Sequence, residues 1–270
     1  MISAENPQSM SGEITIDDFL NGRLQVKQKK TGYRFSIDAI LLAHHVQPKA
    51  DDVLLDLGTG CGILPLILSV LHPAINIYGV EIQKELADMA AANVKNNGLE
   101  ARSHIIHTDM RRLTPTMFNG PVDMVISNPP FRKINAGRIN PDDQRALARH
   151  EIAITLTELV QTASGLLRTG GKFILIHLAE RLTELMVAMC NARLEPKKLR
   201  MIHSRRESKA KLVLVEGRKN ARPGIITAPP LFVYRNEAYT GEVEDMLFFR
   251  QLDATLRETG DSSPTVNQSA

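Results

Sequence analysis

The chain has 270 residues, 43% hydrophobic and 23% charged, the make-up of a soluble globular protein with a full core rather than a disordered chain. No apolar run reaches transmembrane length, the polar start from Met1 to Ser11 lacks a signal-peptide pattern, and Cys61 and Cys190 have neither CxxC nor Cys/His metal spacing. A membrane-spanning or disulfide-stapled protein is thereby excluded, and a cytoplasmic one is expected. The net charge of +3 hides an asymmetry that matters further along the chain.

Residues 1–13 read as a flexible leader. Residues 14–250 read as one domain, with a lead-in over 14–50, an α/β core over 51–195 and a hairpin with extension over 196–235. The polar tail 251–270 reads as disordered. Within the lead-in, Arg23, Lys27, Lys29, Lys30 and Arg34 form a basic stretch with no acid. Ile37, Ile40, Leu41 and Leu42 share one face of a helix.

From Val53 onward, apolar runs alternate with helical patterns. Strands are expected at Val53–Leu57, Ile77–Glu81, His104–His107, Val122–Ser127 and Lys172–His177, and helices at Ile63–Leu71, Lys84–Asn96, Arg145–Leu167 and Ala179–Asn191. Such alternation builds a mostly parallel sheet covered by helices. After Pro196, two β-rich stretches, Lys198–His203 and Lys211–Glu216, flank SRRESK and read as an antiparallel hairpin closing the sheet edge. Ten Lys and Arg from Lys197 to Arg222 face only Glu207 and Glu216, a local net of +8, so the rest of the chain sums to −5. A polyanion-binding face has this pattern; so, taken alone, has a solvated pair of strand edges.

Two motifs carry chemistry. VLLDLGTGCGI (Val53–Ile63) is a buried strand running into a glycine-rich turn and a helix. Gly58, Gly60 and Gly62 let a ligand approach the backbone, and Asp56 sits at the strand's carboxyl end, where open α/β sheets bind ligands. Its third glycine comes one residue too early for the G-x-G-x-x-G of a dinucleotide loop. About 20 residues on, YGVEI places Glu81 where an acid bonds ribose hydroxyls, although a carboxylate opening the next helix would look the same. The second motif ends VDMVISNPPF. Asn128-Pro129-Pro130-Phe131 leaves a strand with two fixed backbones and two missing N–H donors, so the Asn128 side-chain oxygen and the Pro129 carbonyl form a rigid acceptor pair. Such a pair can hold an –NH2 group with its lone pair aimed at an electrophile, while Phe131 stacks on a planar substrate.

D-L-G-T-G-C-G resembles the cofactor loop of class I S-adenosylmethionine methyltransferases, and N-P-P-F resembles the motif of amino-methyltransferases acting on adenine N6, guanine N2 or glutamine amides. Together with LNGRLQVKQKKTGYRFSIDAILLAHHV (Leu20–Val46), RKINAGRINPDDQRALARHEI (Arg132–Ile152) and the basic hairpin, the arrangement over residues 14–235 resembles the bacterial valine-tRNA adenine-N6 methyltransferases. The resemblance implies a Rossmann-like α/β fold with a mostly parallel seven-stranded sheet and an antiparallel edge hairpin, S-adenosyl-L-methionine as cofactor, and tRNA as partner through Arg23–Arg34 and Lys197–Arg222. It implies cofactor contacts from Phe35, Ser36, Asp38, Asp56, Gly58, Thr59, Gly60, Gly62, Glu81, Ile82, Asp109, Met110 and Asn128. Asp109, in HTDM, would sit beside the adenine amino group, unless it only caps a turn. Catalysis falls to Asn128, Pro129, Pro130 and Phe131.

Phe131 stands where the adenine-N6 pattern has Tyr, so a guanine-N2 rRNA enzyme stays open. So do a protein-glutamine methyltransferase, for which about 50 residues before the loop leave little room for a helical domain, and a non-catalytic RNA-binding relative. The eight histidines have no metal-cluster spacing, and no catalytic metal is expected.

Overall fold

A computed structural model describes residues 14–20, 22–29, 37–129 and 154–248. The expected leader and tail, and residues 145–153 of one expected helix, lie outside them. Two strands, β1 (Ile14–Phe19) and β2 (Leu24–Lys29), form an antiparallel hairpin with Phe19 opposite Leu24. Helix α1 (Ile37–His45) follows, with Ile40, Leu41 and Leu42 buried as their spacing requires. Next come β3 (Val53–Leu57), α2 (Ile63–Leu71), β4 (Asn76–Glu81), α3 (Lys84–Asn96) and β5 (Ser103–His107), then β6 (Val122–Ser127). Helix α4 (Leu156–Leu166) starts at a capping box of Thr155 and Glu158 and runs straight into β7 (Leu167–Leu178). The chain continues through α5 (Leu182–Asn191), β8 (Leu194–His203), β9 (Ala210–Lys219), the two-residue strands β10 (Ile226–Thr227) and β11 (Leu231–Phe232), a small hairpin of β12 (Tyr234–Arg235) and β13 (Ala238–Tyr239), and α6 (Gly241–Leu247).

Seven long strands form one sheet in the order β5-β4-β3-β6-β7-β9-β8, parallel except for β9, which lies antiparallel to both neighbours. Side chains alternate between two cores, as the pleat demands. Leu54 packs with α1, α2 and α3, whereas Leu55 and Leu57 pack with α4 and α5. Both faces are covered, which explains why β3 reads as an unbroken apolar run interrupted only by Asp56. The chain winds outward from β3 through β4 to β5, then returns past β3 to β6. That reversal opens a crevice at the carboxyl ends of β3 and β6, the usual ligand position in open α/β sheets.

Three features differ from the sequence expectations. The 14–29 hairpin was read only as lead-in. Pro196 lies inside β8 rather than before it, at a register shift between Pro196 and Lys198, where a bulge tolerates its missing N–H. The β8–β9 hairpin does not close the sheet, because β10 and β11 pair in parallel with β8 on its outer side. The register also locates its turn: Leu178 of β7 faces Leu212, and His203 faces Ala210. Residues 204–209 therefore sit at the crevice end of the sheet. Lys197, Arg218 and Lys219 sit at the other end.

Candidate active site

The glycine-rich turn leaves β3 between Leu57 and α2. Gly58, Gly60 and Gly62 all have positive φ, 82°, 59° and 85°, a region where L side chains are strained. At Gly58 a Cβ would meet nothing within 4 Å, so the space beside it is open to a ligand. At Gly62 a Cβ would come within 3.0 Å of Ala90 Cβ, so α3 also demands a bare backbone there.

The turn is held by the protein's own hydrogen bonds. The N–H groups of Gly58 and Thr59 donate to the Val80 carbonyl at 2.9 Å each, and the Gly62 N–H donates to Thr59 O at 3.0 Å. Glu81, buried at the end of β4, accepts from Gly60 N–H through Oε2 (3.0 Å) and from Gln83 N–H through Oε1 (2.9 Å). It thus ties the turn to the start of α3, and each oxygen keeps a further lone pair. Ile82, the next residue, is exposed beside it.

Asp56 is different. It is fully buried, and neither carboxylate oxygen nor the Thr59 hydroxyl meets a hydrogen-bond partner among the described residues. Burial pushes its carboxyl from 3.8 up to about 7. The Thr59 hydroxyl, close but not in bonding geometry, offsets part of this, and the charge of Glu81 adds to it. Buried polar atoms rarely lack partners, so an orphaned carboxylate and hydroxyl beside an open glycine turn mark a place for donors from outside. S-adenosylmethionine carries an ammonium and two ribose hydroxyls. The residues present fit it.

On the other side of the crevice, Ile126 of β6 pairs with Asp56, and the Ser127 hydroxyl donates to Leu57 O at 2.7 Å. Asn128 and Pro129 follow directly, half-buried, one strand from the glycine turn, and Asn128 makes no side-chain hydrogen bond to a described residue. Pro130 and Phe131, like Phe35 and Ser36, lie outside the described residues. Asp38 stands in the first turn of α1. Asp109 caps the short 3-10 turn that starts at Met110, and its oxygens take hydrogens from Arg111 N (2.9 Å), Nε (3.0 Å) and Nη2 (2.6 Å). Arg111 holds its pKa below the ordinary value. The turn-capping role is thus visible in the geometry.

Two residues at the site were not anticipated from the sequence. His177, near the carboxyl end of β7 and two residues past the Leu175–Ser127 pairing, is buried and stays neutral: burial, helped by Arg181, pulls its pKa down to about 4. Asn93 is fully buried in α3 and donates to the carbonyl of Cys61 in the glycine turn (2.9 Å). Its sequence signal was present: it falls at i+7 on an apolar face formed by Leu86, Ala87, Ala90 and Val94.

Comparison with known proteins identifies the family. The methyltransferase small domain model matches residues 34–193. The tRNA1(Val) (adenine(37)-N6)-methyltransferase of Porphyromonas gingivalis is 31% identical over 208 residues, 75% of this chain and 81% of that protein. Its namesake from Dyadobacter fermentans is 24% identical over 80% of this chain and 88% of its own length. Among solved structures, a "predicted O-methyltransferase" from Agrobacterium tumefaciens superposes with a TM-score of 0.63 at 23% identity, over 77% of this chain and 94% of its own. That likeness concerns the fold.

Proposed function

The chain belongs to the methyltransferase small domain family, and from that premise we propose that it moves a methyl group from S-adenosyl-L-methionine to N6 of an adenine in tRNA, with the adenine beside the anticodon of a valine tRNA as target. The observation carrying the chemistry is the pairing of Asp56 with Ile126, which sets Asn128-Pro129 about 5 Å, one strand spacing, from the glycine turn. The substrate is supported by likeness to the Porphyromonas enzyme over three-quarters of the chain. A tRNA substrate would be met in the cytoplasm.

When bound, the cofactor supplies an electrophilic methyl group on its sulfonium sulfur. Gly58, Thr59, Gly60 and Gly62 give it a close-fitting backbone, while Asp56 and Glu81 accept from its donors. Ile82 covers its apolar surface, and Asp38, Asp109 and Met110 belong to the set by resemblance, as do Phe35 and Ser36. Asn128 Oδ1 and the Pro129 carbonyl accept the two hydrogens of the target amino group, which points the nitrogen lone pair at the methyl carbon. Neither is a strong base, so neither takes a proton before transfer; as the N–C bond forms and the C–S bond breaks the nitrogen turns cationic, and its surplus proton then passes to solvent water. The contribution is positioning.

For RNA, the turn joining β8 and β9 supplies exposed Arg206 and Lys209 at the crevice end, with Lys211 just inside β9; none of the three side chains bonds a described residue. The turn spans β9 and β8, two and three strand spacings from β6, or about 10–15 Å from its end. In contrast, Arg205 pairs with Glu237, Arg200 with Glu242 and Arg218 with Glu216. The positive surface offered to phosphates is therefore narrower than the run Lys197–Arg222. In β2, Lys29 is likewise paired, with Glu85.

The test is methylation of total tRNA and rRNA pools with labelled cofactor, followed by nucleoside mass spectrometry. N6-methyladenosine in tRNA is expected. Phe131, in place of the usual Tyr, favours guanine N2 as the second reading, and N2-methylguanosine in rRNA would replace the proposal with it. No methylated nucleoside in either pool would reject both.

A further inference from the structure

We propose that Asn93 is a positioning residue for the cofactor, one that fixes the glycine turn from behind and uses the β1–β2 hairpin as its brace. The inference rests on the reading that Gly58–Gly62 holds the cofactor.

A fully buried asparagine must satisfy two donors and an acceptor. Asn93 does so across two regions of the chain. Its Oδ1 accepts from Lys27 N–H (2.8 Å), and one Nδ2 hydrogen goes to Lys27 O (2.9 Å) and the other to Cys61 O (2.9 Å). The amide cannot be flipped without setting donor against donor at Lys27. Toward β2 the side chain behaves like the facing residue of an antiparallel ladder, giving and taking one hydrogen bond with a single partner.

One helical turn later Asn97 repeats the device. Its Oδ1 accepts from Gln25 N–H (2.9 Å), and Nδ2 donates to Gln25 O (2.8 Å). The repeat works because the distances match. Four residues of helix rise about 6 Å, and two residues of strand span about 6.7 Å. Helix α3 therefore offers a surrogate strand edge, on which β2 runs antiparallel to the helix, with Lys29 reaching Glu85 at 2.6 Å nearer its start. Leu24 and Val26 alternate with these contacts along β2 and are buried.

Only Asn93 also touches the turn. Cys61 lies between Gly60, whose N–H Glu81 holds, and Gly62, which is pressed on Ala90. The Asn93 bond turns the Cys61 carbonyl into the protein. The hairpin, by occupying the other two hydrogen-bonding positions of the amide, keeps Asn93 in the rotamer that makes this bond.

The test titrates S-adenosyl-L-homocysteine into the full chain by calorimetry, with hydrogen exchange followed at the amides of residues 60–63 in ligand-free protein. Asn93→Ala should weaken binding roughly 10–100-fold, the loss expected when buried backbone partners are left unpaired, and speed exchange in the turn. KM for S-adenosylmethionine should rise in parallel, while kcat at saturating cofactor changes less than about threefold. Asn97→Ala, at the half-buried end of α3, leaves the Cys61 bond in place and loosens only the brace. It should weaken binding about threefold and speed exchange at residues 60–63, and it decides alone if Asn93→Ala does not fold. Affinity within twofold of wild type and unchanged exchange in the variants that fold would overturn the proposal. Gly60→Val is the control: if it too bound like wild type, the loop reading itself would fail, a separate result.

Discussion

Asp56 and Glu81 end neighbouring parallel strands, are both buried and carry the same functional group, yet they are held in opposite ways. Glu81 accepts two backbone hydrogen bonds and fastens the glycine turn to α3; Asp56 accepts none among the described residues and has its carboxyl raised to about 7. A buried carboxylate must be bonded or drift toward the neutral form. On the proposed function, the difference separates a group that shapes the glycine turn from one that accepts from the cofactor's donors. In side-chain partners among the described residues, Asn128 and Arg206 fall on the Asp56 side of that division, and Arg218 on the Glu81 side.

The division can be broken most severely at Glu81. Glu81→Ala leaves the Gly60 and Gln83 amides without their acceptor, and should lower stability by about 2–5 kcal/mol and abolish cofactor binding. Denaturant unfolding and calorimetry measure both. A variant of wild-type stability would place Glu81 with Asp56 instead.

At Asn128 the effect should appear in rate. Asn128→Ala removes one preorganised acceptor and should lower kcat at least about 100-fold while cofactor affinity holds. Single-turnover methylation with wild-type rates would make Asn128 an ordinary turn residue.

Asp56→Asn sharpens the comparison because two properties should move in opposite directions. A carboxyl whose folded pKa is raised from 3.8 to about 7 stabilises the fold relative to the ionised state only at low pH, and that advantage is lost as pH rises through this window. The neutral amide escapes the loss. The ligand-free variant should gain roughly 1–2 kcal/mol over wild type at pH 8 and nothing near pH 3, while cofactor binding at pH 8 falls about tenfold. Parallel losses of stability and affinity across that range would mean that Asp56 is structural.

The smallest effect concerns the surface. Arg206→Glu with Lys209→Glu should weaken tRNA binding and reduce its salt slope by about 2, whereas Arg218→Glu, at the far end of β9, should change neither. Filter-binding salt titrations giving equal slopes for all three proteins would remove the turn from the RNA surface.

Much of the fold was legible because it depends on local pattern. Strands β3 to β6 were bounded nearly to the residue by apolar runs ending at glycine or polar turns, while the seven-strand count came with the family resemblance. The 14–29 hairpin went unread although Asn21-Gly22 between two alternating runs is a hairpin signal. Its strands are short and rich in Asp, Lys and Gln, and what fixes them is an asparagine ladder on a helix some 66 residues away. At the site, the glycine turn and Asn128 announced themselves by residue type. The engagement of Asp109 by Arg111 depends on rotamers, and the division of the basic run between two ends of the sheet depends on strand register. Neither is carried by spacing along a chain.

Strands β10 and β11 contribute two residues each, yet they lie along the outer side of β8, the last long strand on that side. A bare strand there would present unpaired N–H and C=O groups to any other chain, the usual template for self-association. During synthesis β8 leaves the ribosome some 23 residues before Ile226 can cover it, so for that interval it depends on its lysines and on the Pro196 bulge to stay unpaired. A chain stopped after Arg222 would keep the sequence of all seven long strands but lose Leu231, Val233 and Val243 from the core they pack into. Residues 226–232 cover the edge of β8, and Leu231 among them is buried in that same core.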